Sequence, residues 1–315
     1  MIECNSKKDL HICFSADDNY VRYCGTAIAS ILLNAGHDES LHFHIIDGGI
    51  SKKNRFRLEK IKKIRDFSID FVKIDPVEFN GFPLDSDGTH HHLNIVTYYR
   101  VRIPSLFPHL EKVLYLDCDL IAMASIKPIF EIDLNGYYSA AVVDVYEKIH
   151  KKRLNMDESS YFNTGVLLID CCKWRAEKIE SRIFDWIRDN RELIRLADQD
   201  AINPVLAGTI SALAEKFNVF AGDYDNGNYQ EDPVIIHYVG NVKPWNLWTK
   251  KNSAKHYFEV LKKTPWDYTK YWQFFKNLPL GIFGISKKLF FRASPVLFNE
   301  VKKIYLKQKG KQSMK

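Results

Sequence analysis

Apolar positions along the 315-residue chain fall in short blocks separated by polar turns. Leu10–Phe14 reads as a short buried strand that ends at Ser15-Ala16-Asp17-Asp18-Asn19-Tyr20, and Thr26–Leu33 has helical spacing with a small-residue face suited to packing on a sheet. Leu41–Ile46 is a second strand ended by Asp47-Gly48-Gly49. Ser51 is placed to cap a helix from Lys52 to about Arg65. Ser68–Ile74 follows as a third strand, closed by Asp75-Pro76. This strand–helix rhythm predicts a parallel sheet covered by helices. Val113–Leu116 predicts a central strand running into Asp117-Cys118-Asp119; Ala140–Val145, Val166–Ile169 and Val234–His237 predict further strands, and Lys173–Asn190 a helix.

Composition narrows the class. Hydrophobic residues at 46% and charged residues at 27% fit a globular chain able to bury a core, not a disordered, collagen-like or coiled-coil one. Tyr23–Gly36 and Ala201–Ala214 are the longest uncharged stretches, short of the ~18–20 apolar residues of a membrane-spanning helix. Residues 1–8 lack the apolar centre of a signal peptide, and six cysteines without a Cys-x-x-Cys read as reduced thiols of a cytosolic protein.

Charge divides the chain. Residues 250–315 hold 16 Lys or Arg against Glu259, Asp267 and Glu300, a balance of +13, which leaves −7 for residues 1–249. A mildly acidic body argues against a nucleic-acid-binding domain. The basic segment suits either a solvated tail or an anionic membrane surface.

Candidate chemistry gathers at strand ends. Four Asp-x-Asp pairs occur (Asp85/Asp87, Asp117/Asp119, Asp198/Asp200, Asp223/Asp225), where chance alone gives roughly two. Only Asp117/Asp119 follows a continuous apolar strand, the end at which open α/β sheets bind ligands. Two such carboxylates suit a hard divalent cation holding a diphosphate; solvated loop acids are the plain alternative. Both ends are expected to face solvent. His237, ending its strand, suits the same cation, though a lone strand-end histidine is more often a packed or surface one; Lys243 suits phosphate oxygens, with Gly240 allowing close backbone approach. His90-His91-His92 diverge in direction and read as a loop. Asp198-Gln199-Asp200 opens a helix over Ala201–Leu206, where one acid is expected to act as a cap, and Phe162–Gly165 reads as a polar turn.

Five motifs then stand in order: Phe14–Tyr20, Tyr115–Asp119, Tyr161–Leu168, Asp198–Asp200, and His237-Tyr238-x-Gly240-x-x-Lys243-Pro244-Trp245. Over roughly residues 10–248 the chain resembles glycosyltransferase family 8, in particular its bacterial lipopolysaccharide α-galactosyl- and α-glucosyltransferases, with a fainter match at Thr264-Pro265-Trp266. The resemblance implies an α/β GT-A fold, a UDP-hexose donor, manganese (or magnesium), and transfer with retention of anomeric configuration. It assigns Asp117, Asp119 and His237 to the metal, and Ser15, Ala16, Asp17, Asn19 and Tyr20 to uracil and ribose. Cys118 falls between the carboxylates, and Gly240 and Lys243 match the diphosphate contacts. Arg100, Asp144, Asn163, Asp198 and Gln199 match the donor-sugar wall, with Gln199, Asp198 and Lys243 as the catalytic set. His92 and Thr97 fall where the family contacts its acceptor. Leu196 and Val239 depart from the galactosyltransferase pattern, which expects an aromatic residue and a cysteine, and bear on the acceptor and the exact sugar.

The expected organisation is a catalytic domain over residues 1–249 and a membrane-associating segment over 250–315. The enzyme would then be cytoplasmic and peripheral on the inner face of the membrane, acting on a lipid-linked core oligosaccharide. Two other classes compete. A haloacid-dehalogenase-type phosphatase would use Asp117 as nucleophile, but Leu120 stands where Thr or Val is expected after the second Asp. A non-enzymatic membrane adaptor would leave the polar motifs without purpose.

Overall fold

The computed structural model describes residues 8–84, 94–156, 159–240, 243–245 and 252–267. Ten strands form two sheets: β1 (Lys8–Ala16), β2 (Glu39–Asp47), β3 (Ser68–Lys73), β4 (Lys112–Leu116), β5 (Leu120–Ala122), β6 (Ser139–Val143), β7 (Phe162–Asp170), β8 (Ile210–Ala212), β9 (Val219–Phe220) and β10 (Ile235–His237). The large sheet has the order β3-β2-β1-β4-β7-β6-β8, and the small one β5-β10-β9.

The central strands are apolar on both faces because helices cover both. Along β4, Leu114 and Leu116 enter one core, while Val113 and Tyr115 enter the other; Val166 and Leu168 of β7 alternate with Leu167 and Ile169 in the same way. Helix α1 (Val21–Asn34) packs its small, apolar face on the first core. On the opposite side, Ile179, Ile183 and Ile187, four apart on helix Ile179–Asp189, enter the second.

Most of the anticipated elements form, with physical departures. The parallel pattern holds for β3-β2-β1-β4 and for β6-β8, but β7 runs antiparallel between β4 and β6. Ser51 does cap α2 (Lys52–Glu59), accepting from Asn54 N–H at 3.3 Å, and the helix tightens into a 3-10 turn at Lys60–Lys63. The single helix expected over Lys173–Asn190 is two, broken where Lys178 takes φ +52°. Phe162–Gly165 is no turn: it opens β7, with a register shift against β6 between Ala141 and Val142. Such bulges re-aim side chains, and this one lies beside the site.

Helix Asn252–Leu261 buries Ala254, Tyr257, Phe258 and Leu261 in the first core beside α1, and a side chain at Gly25 would collide with Trp266. Residues 252–267 therefore pack with the body. The membrane-tail expectation for residues 282–315 lies outside the described residues.

Candidate active site

Strand ends converge on one cleft of about 400 Å3 at the carboxyl edge of the large sheet. Asp117 and Asp119 sit between β4 and β5, and His237 ends β10, which pairs antiparallel with β5 so that His237 faces Leu120 in register. Tyr238 N–H donates to the Asp119 carbonyl at 2.9 Å and locks the crossing. One ligand atom from each of Asp117, Asp119 and His237 lies within 4.8 Å of the others. His237 Nε2 is 3.3 Å from Asp119 Oδ1 and 3.7 Å from Asp117 Oδ2.

Neighbours aim these groups. Tyr115 donates its hydroxyl to Asp117 Oδ1 at 2.9 Å and Arg100 approaches the same oxygen at 2.9 Å, which leaves Oδ2 toward His237. A Cβ on Gly165 would strike the His237 ring and come within 2.7 Å of Asp117 Oδ2. The glycine therefore keeps this space open, and two carboxylates with one imidazole form a donor set that fits a small divalent cation.

The carboxylates are less open than the sequence suggests. The Asp117 and Asp119 side chains are 26% and 14% exposed, and Asp119 is engaged by His237 and by an ion pair with Lys243. Burial opposes the Asp119 charge, but Lys243 and His237 outweigh it and hold the carboxyl well below its ordinary range. The buried Lys243 ammonium also donates to the Tyr238 carbonyl at 2.6 Å. Trp245, two residues on, stacks on Tyr23 of α1 with ring centroids 3.6 Å apart, which fixes this segment over the cleft.

The opposite wall is a buried polar network. Arg100, on the 3-10 helix Ile95–Arg102, stands between Asp117 and Asp198 and donates to the Thr164 carbonyl at 2.8 Å. Its Nε lies 2.8 Å from Asp198 Oδ2, yet that N–H is aimed at the Thr97 carbonyl, so the Asp198 contact is one of charge rather than an aligned hydrogen bond. Burial pushes the Asp198 carboxyl up to about 7, with Arg100 opposing and Asp117 adding to the rise. Gln199 accepts from Thr164 N–H at 3.1 Å and donates to Asp144 at 3.2 Å; Asn163 sits 3.3 Å from its oxygen. Ala197, just before, adopts φ +46°, a strained backbone of the kind that collects at functional sites.

Most residues singled out in the sequence meet here. Ser15, Asp17, Tyr20, Thr97, Arg100, Asp117, Cys118, Asp119, Asp144, Asn163, Asp198, Gln199, His237, Gly240 and Lys243 all line the cleft, as do Leu196 and Val239. Ala16 and Asn19 do not. Ala16 is buried in β1 with its carbonyl taken by Gly48 N–H at 2.9 Å, and exposed Asn19 donates its N–H to Asp17 at 3.0 Å and accepts from Arg22 Nε at 3.3 Å. Asp200 turns away to Tyr161 and Arg153, and also accepts from Arg195 and Leu196 N–H. Asp225 ties down Ser253. Asp85, Asp87 and His90–His92 lie outside the described residues. Sequence reasoning missed Tyr115, Thr164 and Asn218 as supports, and Tyr146, Ile149 and His150 at the rim. Asn218 carries one signal, a polar residue inside the apolar run Phe217–Phe220, which must find partners if buried.

Comparisons with known proteins identify the family. General stress protein A of Bacillus subtilis is 29% identical over 276 residues, spanning 82% of this chain and 95% of its own length. The lipopolysaccharide 1,3-galactosyltransferase of Salmonella typhimurium is 28% identical over 273 residues, or 82% of this chain and 79% of its own. A crystal structure of the galactosyltransferase LgtC with donor and acceptor sugar analogues superposes with a TM-score of 0.74 at 29% identity, covering 84% of this chain and 99% of that one. The GT-A expectation is met in that likeness. Residues 11–249 match the family model for glycosyl transferase family 8. The chain is a glycosyltransferase and belongs to glycosyl transferase family 8.

Proposed function

We propose that the enzyme moves a hexose, galactose or glucose, from a UDP-sugar to a lipopolysaccharide core or similar saccharide, with retention and with manganese as its working cation. The observation that carries this reading is the convergence of Asp117, Asp119 and His237 around the space that Gly165 leaves open. Bound there, the cation would neutralise charge developing on the departing diphosphate.

This chain's own residues divide the remaining work. Ser15, with a buried hydroxyl that has no partner among the described residues, and Tyr20 would meet the nucleoside. Gly240, at φ +78°, would bring backbone close to phosphate, where Lys243 adds charge. Arg100, Asp144, Asn163, Asp198 and Gln199 would orient the sugar. The Gln199 oxygen is already committed to Thr164 N–H, and an amide is a poor nucleophile. This favours front-face displacement: the acceptor oxygen bonds to the anomeric carbon as the bond to the diphosphate breaks, and the hydroxyl proton passes to the leaving phosphate oxygen. Among the described residues no helix is long and apolar enough to cross a membrane. We place the enzyme at the cytoplasmic face, held peripherally by its basic C-terminal stretch near a lipid-linked acceptor.

Calorimetric titration with UDP tests the core of the proposal. Binding is expected only with manganese, and Asp117→Asn should abolish it while the circular dichroism spectrum stays that of the parent. Equal UDP affinity with and without metal overturns the reading.

A further inference from the structure

We infer that Asn218 is a positioning residue that fixes which nitrogen of His237 carries a proton, and so presents Nε2 to the cation site. The inference rests on the metal reading above for its purpose, but on hydrogen-bond polarity for its logic.

The chain of polarity starts at a group that cannot change. Gly165 N–H is a backbone donor, and it donates to Asn163 Oδ1 at 3.1 Å. Turning the Asn163 amide over would set donor against donor, so its oxygen must face this way. The same oxygen lies 2.9 Å from Asn218 Nδ2, which must therefore be the donor. Asn218 is then obliged to present Oδ1 to His237 Nδ1, 2.9 Å away, and that nitrogen must carry hydrogen. The other ring nitrogen is left to face Asp119 and Asp117 at 3.3 and 3.7 Å. A second backbone donor gives the same answer: Thr164 N–H fixes the Gln199 oxygen, and that oxygen takes the Asn163 amide nitrogen at 3.3 Å.

Asn218 is 2% exposed and does not line the cleft, so its side chain serves these two neighbours. Buried partners of this kind orient ligating histidines, and their loss typically weakens metal affinity by about 10- to 100-fold. Asn218 also joins the cation ligand His237 to Asn163 on the opposite wall, so a shift of either ring or amide is felt by the other.

Two measurements on the full chain decide the matter. Long-range proton–nitrogen NMR of metal-free, 15N-histidine-labelled protein, with His237 assigned by its loss in His237→Ala, reads the ring protons directly. Nδ1 is expected to be protonated in the parent and in Asn218→Asp. Manganese titration followed by the electron paramagnetic resonance of the free ion is expected to show about tenfold or greater weakening in Asn218→Leu. Partial recovery in Asn218→Asp should follow, because a carboxylate still accepts from Nδ1 although its second oxygen gives Asn163 Oδ1 no donor. A bare Nδ1 in the parent, a weakening below tenfold in Asn218→Leu, or no recovery in Asn218→Asp overturns the inference. Should Asn218→Leu fail to fold, the parent spectrum and Asn218→Asp decide it. Absence of manganese binding by the parent would sink the metal reading, while the ring-proton measurement still judges Asn218.

Discussion

Lys243 shows what one side chain does for a site built from acids. Its buried ammonium pairs with Asp119 and reaches the Tyr238 carbonyl, so it supplies positive charge to Asp119 as Arg100 does to Asp117. A cation entering the site competes with that pairing for Asp119. Lys243→Met should therefore bind manganese more tightly in the absence of nucleotide, by about tenfold given a partly screened pair, and should bind UDP more weakly. Electron paramagnetic titrations with and without UDP read both effects, and a lower affinity for manganese alone would refute the competition. At this scale the sequence was readable where a residue sits at a strand end beside others of its kind, as with Asp117, Asp119 and His237. It was not readable for Asn218, whose role depends on two neighbours 19 and 55 positions away. In the loop after β1, strand geometry turns the Ala16 side chain into the core, and the Asp17 turn holds Asn19 exposed.

Among the elements, the far end of the parallel strands carries a histidine face. His11 on β1 stacks on His42 of β2 at 4.9 Å and shares a 3.0 Å contact with His44, which lies 2.7 Å from Asp70 on β3. Burial, then the charges of His44 and His42, push the His11 imidazole down to about 4; His109 adds slightly, and Asp9 works the other way. The sign follows. In the unfolded chain His11 takes a proton from about pH 6.5 downward, whereas in the folded one it resists until near 4, so stability is lost as pH falls through that window. His11→Gln should show a smaller drop in Tm between pH 7 and pH 5 than the parent, and an equal drop would show that another group sets the acid limb. The alternating pattern placed β1, β2 and β3 well because their apolar side chains must be buried. It could not reveal that β7 is antiparallel, since a strand covered on both faces looks the same in either direction. The break at Lys178 was equally hidden: the isoleucine stripe of one helix runs on from the polar turn of another.

At the scale of the molecule, charge separates what packing joins. The −7 belongs to residues 1–249, and the +13 of residues 250–315 concentrates beyond helix Asn252–Leu261. Each basic residue near an anionic leaflet contributes on the order of 1 kcal/mol, so the nine Lys or Arg of residues 282–315 would hold the enzyme there in moderate salt. Truncation after Leu280 should abolish sedimentation with anionic liposomes yet spare activity on a short, lipid-free acceptor; unchanged sedimentation would remove the tail from this role. That division was legible because charge needs no fold to be counted. The pairing of β10 with β5, by contrast, bears on time. His237 meets Asp119 across 118 positions, and the intervening chain includes β7, which lies against β4 and β6. Contacts so distant in sequence close late in folding, after local helices and hairpins have formed. A growing polypeptide that has not yet reached residue 237 offers an ion only two of the three ligands. A cation that needs all three ligands would thus be captured only once β10 has paired with β5, and would act as a latch on that pairing rather than as a seed for it.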